Sequence, residues 1–318
     1  MNNLARKKEL QLVGEQSQTE PHTSFCVDWI SATIKENPNA GAFDFLACFD
    51  EISPRRVVKA LHGYTDAYRW QFGALMMWHA TKKSMGVHII LSGSTLRALH
   101  DKEYDAFFML KRLIRCNAKL TMVHLALDIV DSTINPTEFY QLFKAKQYSG
   151  RAQTASIIEN IFGGQTCYVG SWNSERFFRI YDKAAEQSIK GLNWKRLELV
   201  LKGDYAQAFA YQFASEKTVE RAMSVFRGAV KAMADFPHRD WIRALEGRIE
   251  KLSLPEGKER KTREWLLTQV VSAMAKYVVE TGDDTLIEEF AREYEAAYEK
   301  AYKQAFPGTN EDSLQVNS

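Results

Sequence analysis

Apolar and polar positions alternate with a period of two over several short stretches of the first two-thirds of the chain; a helical period takes over afterwards. Residues 25–34, 64–72, 74–81, 87–91 and 120–129 read as strands, with Gly63, Gly73 and Gly86 at their boundaries. Gly163-Gly164 turns a hairpin made of 155–162 and 165–170. Two more strands are predicted near 176–183 and 194–202. Three helices interrupt them. One is a short helix over 43–51, and one covers 104–115 with an apolar stripe from Phe107, Phe108, Leu110 and Leu113. The third is opened by Asn135-Pro136, with Glu138 in its first turn, and runs to about Lys146.

Beyond Gly203 the pattern predicts a helix over 215–234, a short helix over 241–246 and one more strand over 248–254. Leu266, Val270, Ala273 and Tyr277 then form a helical stripe that Gly282 stops. Thr285 and Glu288 cap a last helix carrying Ile287, Phe290, Tyr294, Ala297 and Tyr298 on one side. The expected fold is α+β, a mostly antiparallel sheet with helices packed on it, followed by a mainly helical C-terminal part. Residues 1–22 and 307–318 are polar and expected to be disordered, with domains over 23–203 and 204–306. No internal repeat is visible in the sequence.

Composition excludes several classes. At 318 residues, 45% hydrophobic and 26% charged, the chain is of the globular type. No apolar run reaches the ~18 residues of a membrane span, and the first sixteen residues, MNNLARKKELQLVGEQ, lack the apolar core of a signal peptide. A cytoplasmic protein with no membrane partner is expected. Cys26, Cys48, Cys116 and Cys167 show no CxxC spacing, against a zinc site or a disulfide framework. The formal net charge is only +2, so a global basic field is not the argument for nucleic acid. The charge is uneven, however. Cations crowd 176–203, and acids (Asp283, Asp284, Glu288, Glu289, Glu293, Glu295, Glu299) crowd the end.

The chemistry concentrates in the last two predicted strands of the sheet. Arg179, Tyr181 and Lys183 share one strand face, as do Arg196, Glu198, Val200 and Lys202. Paired, they would offer a phenol, a carboxylate and several cations: a nucleophile, a metal ligand and phosphate clamps. A phenol is a poor nucleophile at its ordinary pKa, so Tyr181 needs Arg179 or Lys183 beside it; the plainer alternative is a sheet tyrosine packing its ring. Glu198 is a candidate ligand for Mg2+ or Mn2+, or else a partner of Arg196 or Lys202 in a salt bridge. His124 and Asp128 flank Ala126 on one strand face with room for an ion between them, and His88 would complete a metal set. The alternative is a core or sheet-surface histidine at 124 and, for His88 and Ser92, a strand end followed by a turn. Ser92, with the Gly93 backbone, and Arg97 are candidate phosphate contacts. Arg176 and Arg179, near Ser171 and Ser174, suggest a phosphate patch; Arg196 joins them as a DNA contact. Trp172 either stacks on an unpaired base or caps the sheet edge.

The run Tyr168-Val-Gly-Ser-Trp-Asn-Ser-Glu-Arg-Phe-Phe-Arg-Ile-Tyr-Asp-Lys183, followed by Arg196-Leu-Glu-Leu-Val-Leu-Lys-Gly203, resembles the rolling-circle replication initiators of plasmids and filamentous phages, the replication initiation factor family. Val27-Asp28-Trp29-Ile30-Ser31, Gly63-Tyr64, Val87-His-Ile-Ile-Leu-Ser-Gly93 and Leu125-Ala-Leu-Asp128 fit the same family in order, and the resemblance spans roughly 24–205. It implies a nuclease-type (HUH-like) sheet whose Tyr181 attacks DNA. That attack leaves a 5′-phosphotyrosine and a 3′-hydroxyl. It also implies origin DNA as partner, single-stranded or cruciform with flanking duplex, together with a homodimer and a host helicase or polymerase. The family's Arg-x-Asp-x-Ala-x-Asp strand reads Met122-Val-His124-Leu-Ala126-Leu-Asp128 here, so His124 stands where an Asp is expected. A conjugative relaxase with the same chemistry and a non-catalytic DNA-binding protein of the same fold are the alternative readings.

Overall fold

The computed structural model describes residues 22–35, 49, 55–102, 104–159, 164–214, 219–252, 254 and 270–305. Ten strands form a single sheet, every neighbouring pair antiparallel: β1 His22–Ile34, β2 Arg55–Val57, β3 Asp66–Trp70, β4 Leu75–Trp78, β5 Val87–Ser92, β6 Lys119–Val130, β7 Ala155–Glu159, β8 Gln165–Val169, β9 Arg176–Asp182 and β10 Trp194–Lys202. Their order across the sheet is β2-β3-β4-β5-β1-β6-β10-β9-β8-β7.

That order repeats itself. In the first five strands the opening strand lies beside the last, and the others follow outwards in descending order. The second five do the same. The halves meet at the antiparallel pair β1–β6, so a pseudo-twofold axis passes between them. A single helical turn links β4 to β5 (Lys83–Met85) and another links β9 to β10 (α4, below). The absence of a visible sequence repeat is therefore corrected at the level of topology: the duplicated path needs only strand periodicity and turn positions, which many different side chains satisfy.

Helices cover one face of the sheet. They are α1 Gly93–His100, α2 Ala106–Arg115, α3 Pro136–Lys144, α5 Gly203–Ala214, α6 Val219–Met233 and α7 Arg239–Ala244; the short α4, Lys183–Glu186, sits against the other face. Side chains at N-caps fix four starts. Ser92, Asp105, Asn135 and Asp182 accept backbone N–H bonds at the heads of α1, α2, α3 and α4. The covered face is packed by Leu197, Leu199 and Leu201 of β10, Leu125 and Leu127 of β6, and Phe178 and Ile180 of β9. Phe178 meets Trp241 of α7 at 5.9 Å, and Trp241 meets Phe139 of α3 at 5.3 Å. Truncating a ring in such a cluster costs about 3–5 kcal/mol.

Residues 248–252 and 254 form no strand, contrary to expectation; Glu250 instead takes ion-pair and hydrogen-bond contacts from Arg221 and Gln212. The strand β2 is an addition to the sequence reading. The helix expected over 43–51 lies outside the described residues except at Phe49, which is helical and buried. Cys48, Leu266 and residues 1–21 and 306–318 also lie outside them, while His22, expected in the disordered N-terminal segment, opens β1.

By contacts the chain divides into two compact units, 1–254 and 255–318, so α5, α6 and α7 belong with the sheet. In the second unit, α8 Val271–Thr281 ends on Gly282 in the left-handed conformation (φ 72°). Asp283 then accepts from the Thr285 backbone N–H at the head of α9, Thr285–Ala305. No helix among the described residues is long and apolar enough to cross a membrane.

Candidate active site

The open face of the sheet carries polar side chains at buried positions, and each has a partner. Strand alternation puts Arg179 and Tyr181 of β9, Arg196 and Glu198 of β10, and His124 and Asp128 of β6 on this face. Register brings them together: Glu198 lies opposite Arg179 on one side and Ala126 on the other, while Arg196 lies between Tyr181 and Asp128. Burying such groups is tolerated only with hydrogen bonds and opposite charges supplied.

Two clusters result. In the first, Glu198, only 1% exposed, is the centre. Its Oε2 accepts from the Tyr181 hydroxyl at 2.9 Å, its Oε1 accepts from Arg179 Nη2 at 2.7 Å, and His124 Nδ1 lies 2.6 Å from the same Oε1. Burial pushes the Glu198 carboxyl up, but the His124 hydrogen bond and the Arg179 charge outweigh it and hold the group well below the usual carboxylate range. Tyr181 moves the other way. Burial first, then the Glu198 charge, raise the phenol well above its ordinary value, and the Arg196 and Arg179 charges oppose this without winning. The resting phenol is thus protonated, with its proton already directed at a carboxylate oxygen. Beside it a shallow depression is lined by Gln165, Thr166, Arg179, Tyr181, Asp182 and Glu186.

The second cluster is an ion-pair lattice. Arg196, wholly buried, donates from Nε and Nη2 to Asp128 at 2.7 and 2.8 Å, and its Nη1 lies 2.9 Å from Asp28 Oδ2. Trp194 Nε1 donates to Asp128 Oδ1 at 2.8 Å. Asp28 lies on this face by plain alternation with Cys26, which pairs with Ala126; a bulge between Val27 and Trp29 then leaves Trp29 on the same face as well, its ring stacked on His124 at 5.7 Å. Sequence reasoning assigned neither Asp28 nor Trp29 to the site. The signal that points to Asp28 is a charged residue inside an otherwise apolar strand.

Several expectations are corrected. Arg196 is not a DNA contact, since it is wholly buried in the sheet and ion-paired with Asp128 and Asp28. Arg176 does not join Arg179. Three residues apart on a strand, the two point to opposite faces, and Arg176 lies over the ring of Tyr205 in α5 at 4.8 Å. Lys183 opens α4 and does not continue β9, and it is buried and paired with Glu186, but its ammonium still lies over the Tyr181 ring, 5.6 Å from the centroid. His88 binds Thr33 Oγ1 (2.9 Å) and stacks on Tyr64. Three inter-strand steps separate its strand from that of Glu198, about 14 Å. Ser92 caps α1 and shares hydrogen bonds with Ser94 and Thr95, while Arg97 is half exposed and 3.9 Å from Asp28. Trp172 is exposed, with its ring on Tyr168 at 4.4 Å and Phe177 at 5.4 Å.

The metal set His88, His124, Asp128 and Glu198 is not assembled. Both Asp128 oxygens are taken by Arg196, His88 is remote, and only His124 and Glu198 touch. Among the described residues no group of three or more His, Cys, Asp or Glu side chains is placed to hold an ion. These residues do not fit the Mg2+ or Mn2+ that the resemblance implies.

Comparison with known proteins agrees with the fold. A solved structure, the rolling circle replication initiator protein from Geobacillus stearothermophilus, matches with a TM-score of 0.60 at 19% identity, covering 73% of this chain and 100% of that one. No curated protein matches the chain. The profile of the replication initiation factor family (Rep_trans) matches residues 118–286, more than half of the sequence and the whole of the Tyr181–Glu198 cluster. The chain belongs to the replication initiation factor family.

Proposed function

We propose that this protein initiates rolling-circle replication by cutting one DNA strand at an origin, with Tyr181 as nucleophile. The observation that carries the reading is the hydrogen bond from the Tyr181 hydroxyl to Glu198, with Arg179 on the same carboxylate. The Tyr181 oxygen bonds to phosphorus, the bond from phosphorus to the 3′-oxygen breaks, and a 5′-phosphotyrosine and a 3′-hydroxyl result. The phenol proton goes to Glu198 Oε2, and the departing 3′-oxygen takes its proton from solvent water, to which Glu198 later releases its own.

Glu198 is a weak base while Arg179 and His124 hold its other oxygen. A phosphate arriving at the depression beside Tyr181 competes for Arg179. Drawing that guanidinium away raises the proton affinity of Glu198 at the moment the phenol must lose its proton. Attack and proton transfer are thereby coupled, and a resting phenolate is never needed. Trp172, on its Tyr168–Phe177 platform, offers a stacking surface for a base beside the cut.

Origin DNA, single-stranded or extruded, is the substrate in this reading. A second copy of the chain and host replication proteins are its partners. Cleavage is assigned to the sheet of residues 23–203, and origin recognition or self-association to 204–306, whose α5, α6 and α7 belong to the same compact unit as that sheet. The test is incubation with supercoiled DNA of the replicon that carries the gene, with Mn2+ present. Nicked circles carrying denaturant-resistant protein support the reading; nicking without attached protein, or no nicking, defeats it.

A further inference from the structure

The two halves of the sheet place their side chains equivalently. Both β5 and β10 run into a glycine that opens a helix, Gly93 and Gly203. His88 lies five residues before the first, and Glu198 five before the second. His88 pairs across the sheet with Thr33 of β1 and Met77 of β4; Glu198 pairs with Ala126 of β6 and Arg179 of β9. Carried through the pseudo-twofold, the carboxylate becomes an imidazole and the phosphate-clamping guanidinium becomes a thioether. The family profile begins at residue 118, at the head of β6, so the matched segment holds the second copy and not the first.

The open face of the first copy is nonetheless not plain. Ala67, Leu75, Met77 and Ile90 make a small apolar cluster there, with Tyr64 and Trp29 packed on it and partly exposed. Its outer margin is cationic. Arg69 is two residues from Ala67 on β3, Arg56 pairs with Arg69 across β2–β3, and both are exposed. At the inner margin Trp29 stacks on His124, so the face is continuous with the cluster around Tyr181. From β10 to β3 there are five inter-strand steps, about 24 Å, a path several nucleotides long.

We propose that β1–β5 are a non-cleaving copy of the β6–β10 unit, and that their open face seats a single-stranded stretch of the DNA that Tyr181 cuts. The inference rests on the cleavage reading above. The chemistry selects a single strand: rings such as Tyr64 and Trp29 stack on bases, which a duplex hides, and Arg56 and Arg69 take phosphates at the margin.

The test compares the full-length protein with its Arg56→Ala/Arg69→Ala variant. Fluorescence anisotropy of a labelled oligodeoxythymidylate is followed across a salt series. Both arginines are exposed, so folding is not at risk. The expected result is about tenfold weaker binding and a log–log salt slope shallower by about 1.4, the release of two single-strand phosphates. Adduct formation on a short substrate spanning only the cut is expected to be unchanged. Equal affinity and equal slope in the two proteins would overturn the seat, whether or not Tyr181 cleaves. So would a preference for duplex over oligothymidylate in both. Arginine-dependent binding without any adduct in the unaltered protein would leave the seat standing and remove the cleavage reading alone.

Discussion

The Tyr181 hydroxyl donates to Glu198 Oε2 at 2.9 Å, from the neighbouring strand of the same sheet. A nucleophile and its proton acceptor are thus held by two rigid elements. No loop movement is needed to bring them together.

Glu198→Gln removes the charge and keeps the shape. The Tyr181 proton loses its acceptor, and cleavage is expected to fall about a hundredfold or more while DNA binding survives. Timed nicking assays with a parallel binding measurement check this.

The same carboxyl has a pH signature. Its folded pKa lies below the unfolded value near 4.5, so the stability it contributes is complete above that pH and is lost as pH falls through the folded pKa. Denaturant midpoints measured from pH 6 to pH 3 should therefore decline less steeply in Glu198→Gln than in the unaltered protein. Parallel curves would mean that Glu198 is not held as described.

Asp128 is structural in this account. Asp128→Asn leaves the buried Arg196 guanidinium with Asp28 as its remaining carboxylate, and a loss of about 3 kcal/mol is expected. Chemical denaturation measures it. A variant of unchanged stability that has lost cleavage would instead place Asp128 at the reacting phosphate.

His88 provides a second titration. Burial, helped by the charge of His62, lowers its pKa to about 4. It is therefore neutral at pH 6, and its stabilising effect is present above the ordinary histidine value of 6.5 and declines as pH falls from there toward 4. Its NMR ring signals should not shift between pH 8 and pH 5.5. A midpoint near 6.5 would contradict its packing between Thr33 and Tyr64.

The strands were legible because their alternation is strong. β6 and β10 are apolar on the helix side and polar on the other, and the placing of Tyr181 and Glu198 on one face of the sheet followed from counting by twos. The same counting places Arg176 on the face opposite Arg179, over Tyr205. What sequence could not supply was register and partner choice. Arg196 and Asp128 look like a DNA clamp and a metal ligand until pairing sets them side by side. Trp29 shares the face of Asp28 only through a bulge, a one-residue backbone change with no dependable sequence mark. The duplicated topology was hidden for a related reason: His88 and Glu198 occupy equivalent positions with unrelated chemistry.

The most direct measurement concerns the covalent bond itself. The protein is incubated with origin-containing single-stranded DNA, the adduct is digested with nuclease and protease, and the modified peptide is sequenced by mass spectrometry. The account predicts a nucleotide on the tyrosine of the β9 peptide, Tyr181, and no adduct in a Tyr181→Phe variant that folds and binds DNA normally. An adduct on Tyr168 or Tyr205, or persistent cleavage by Tyr181→Phe, would contradict it.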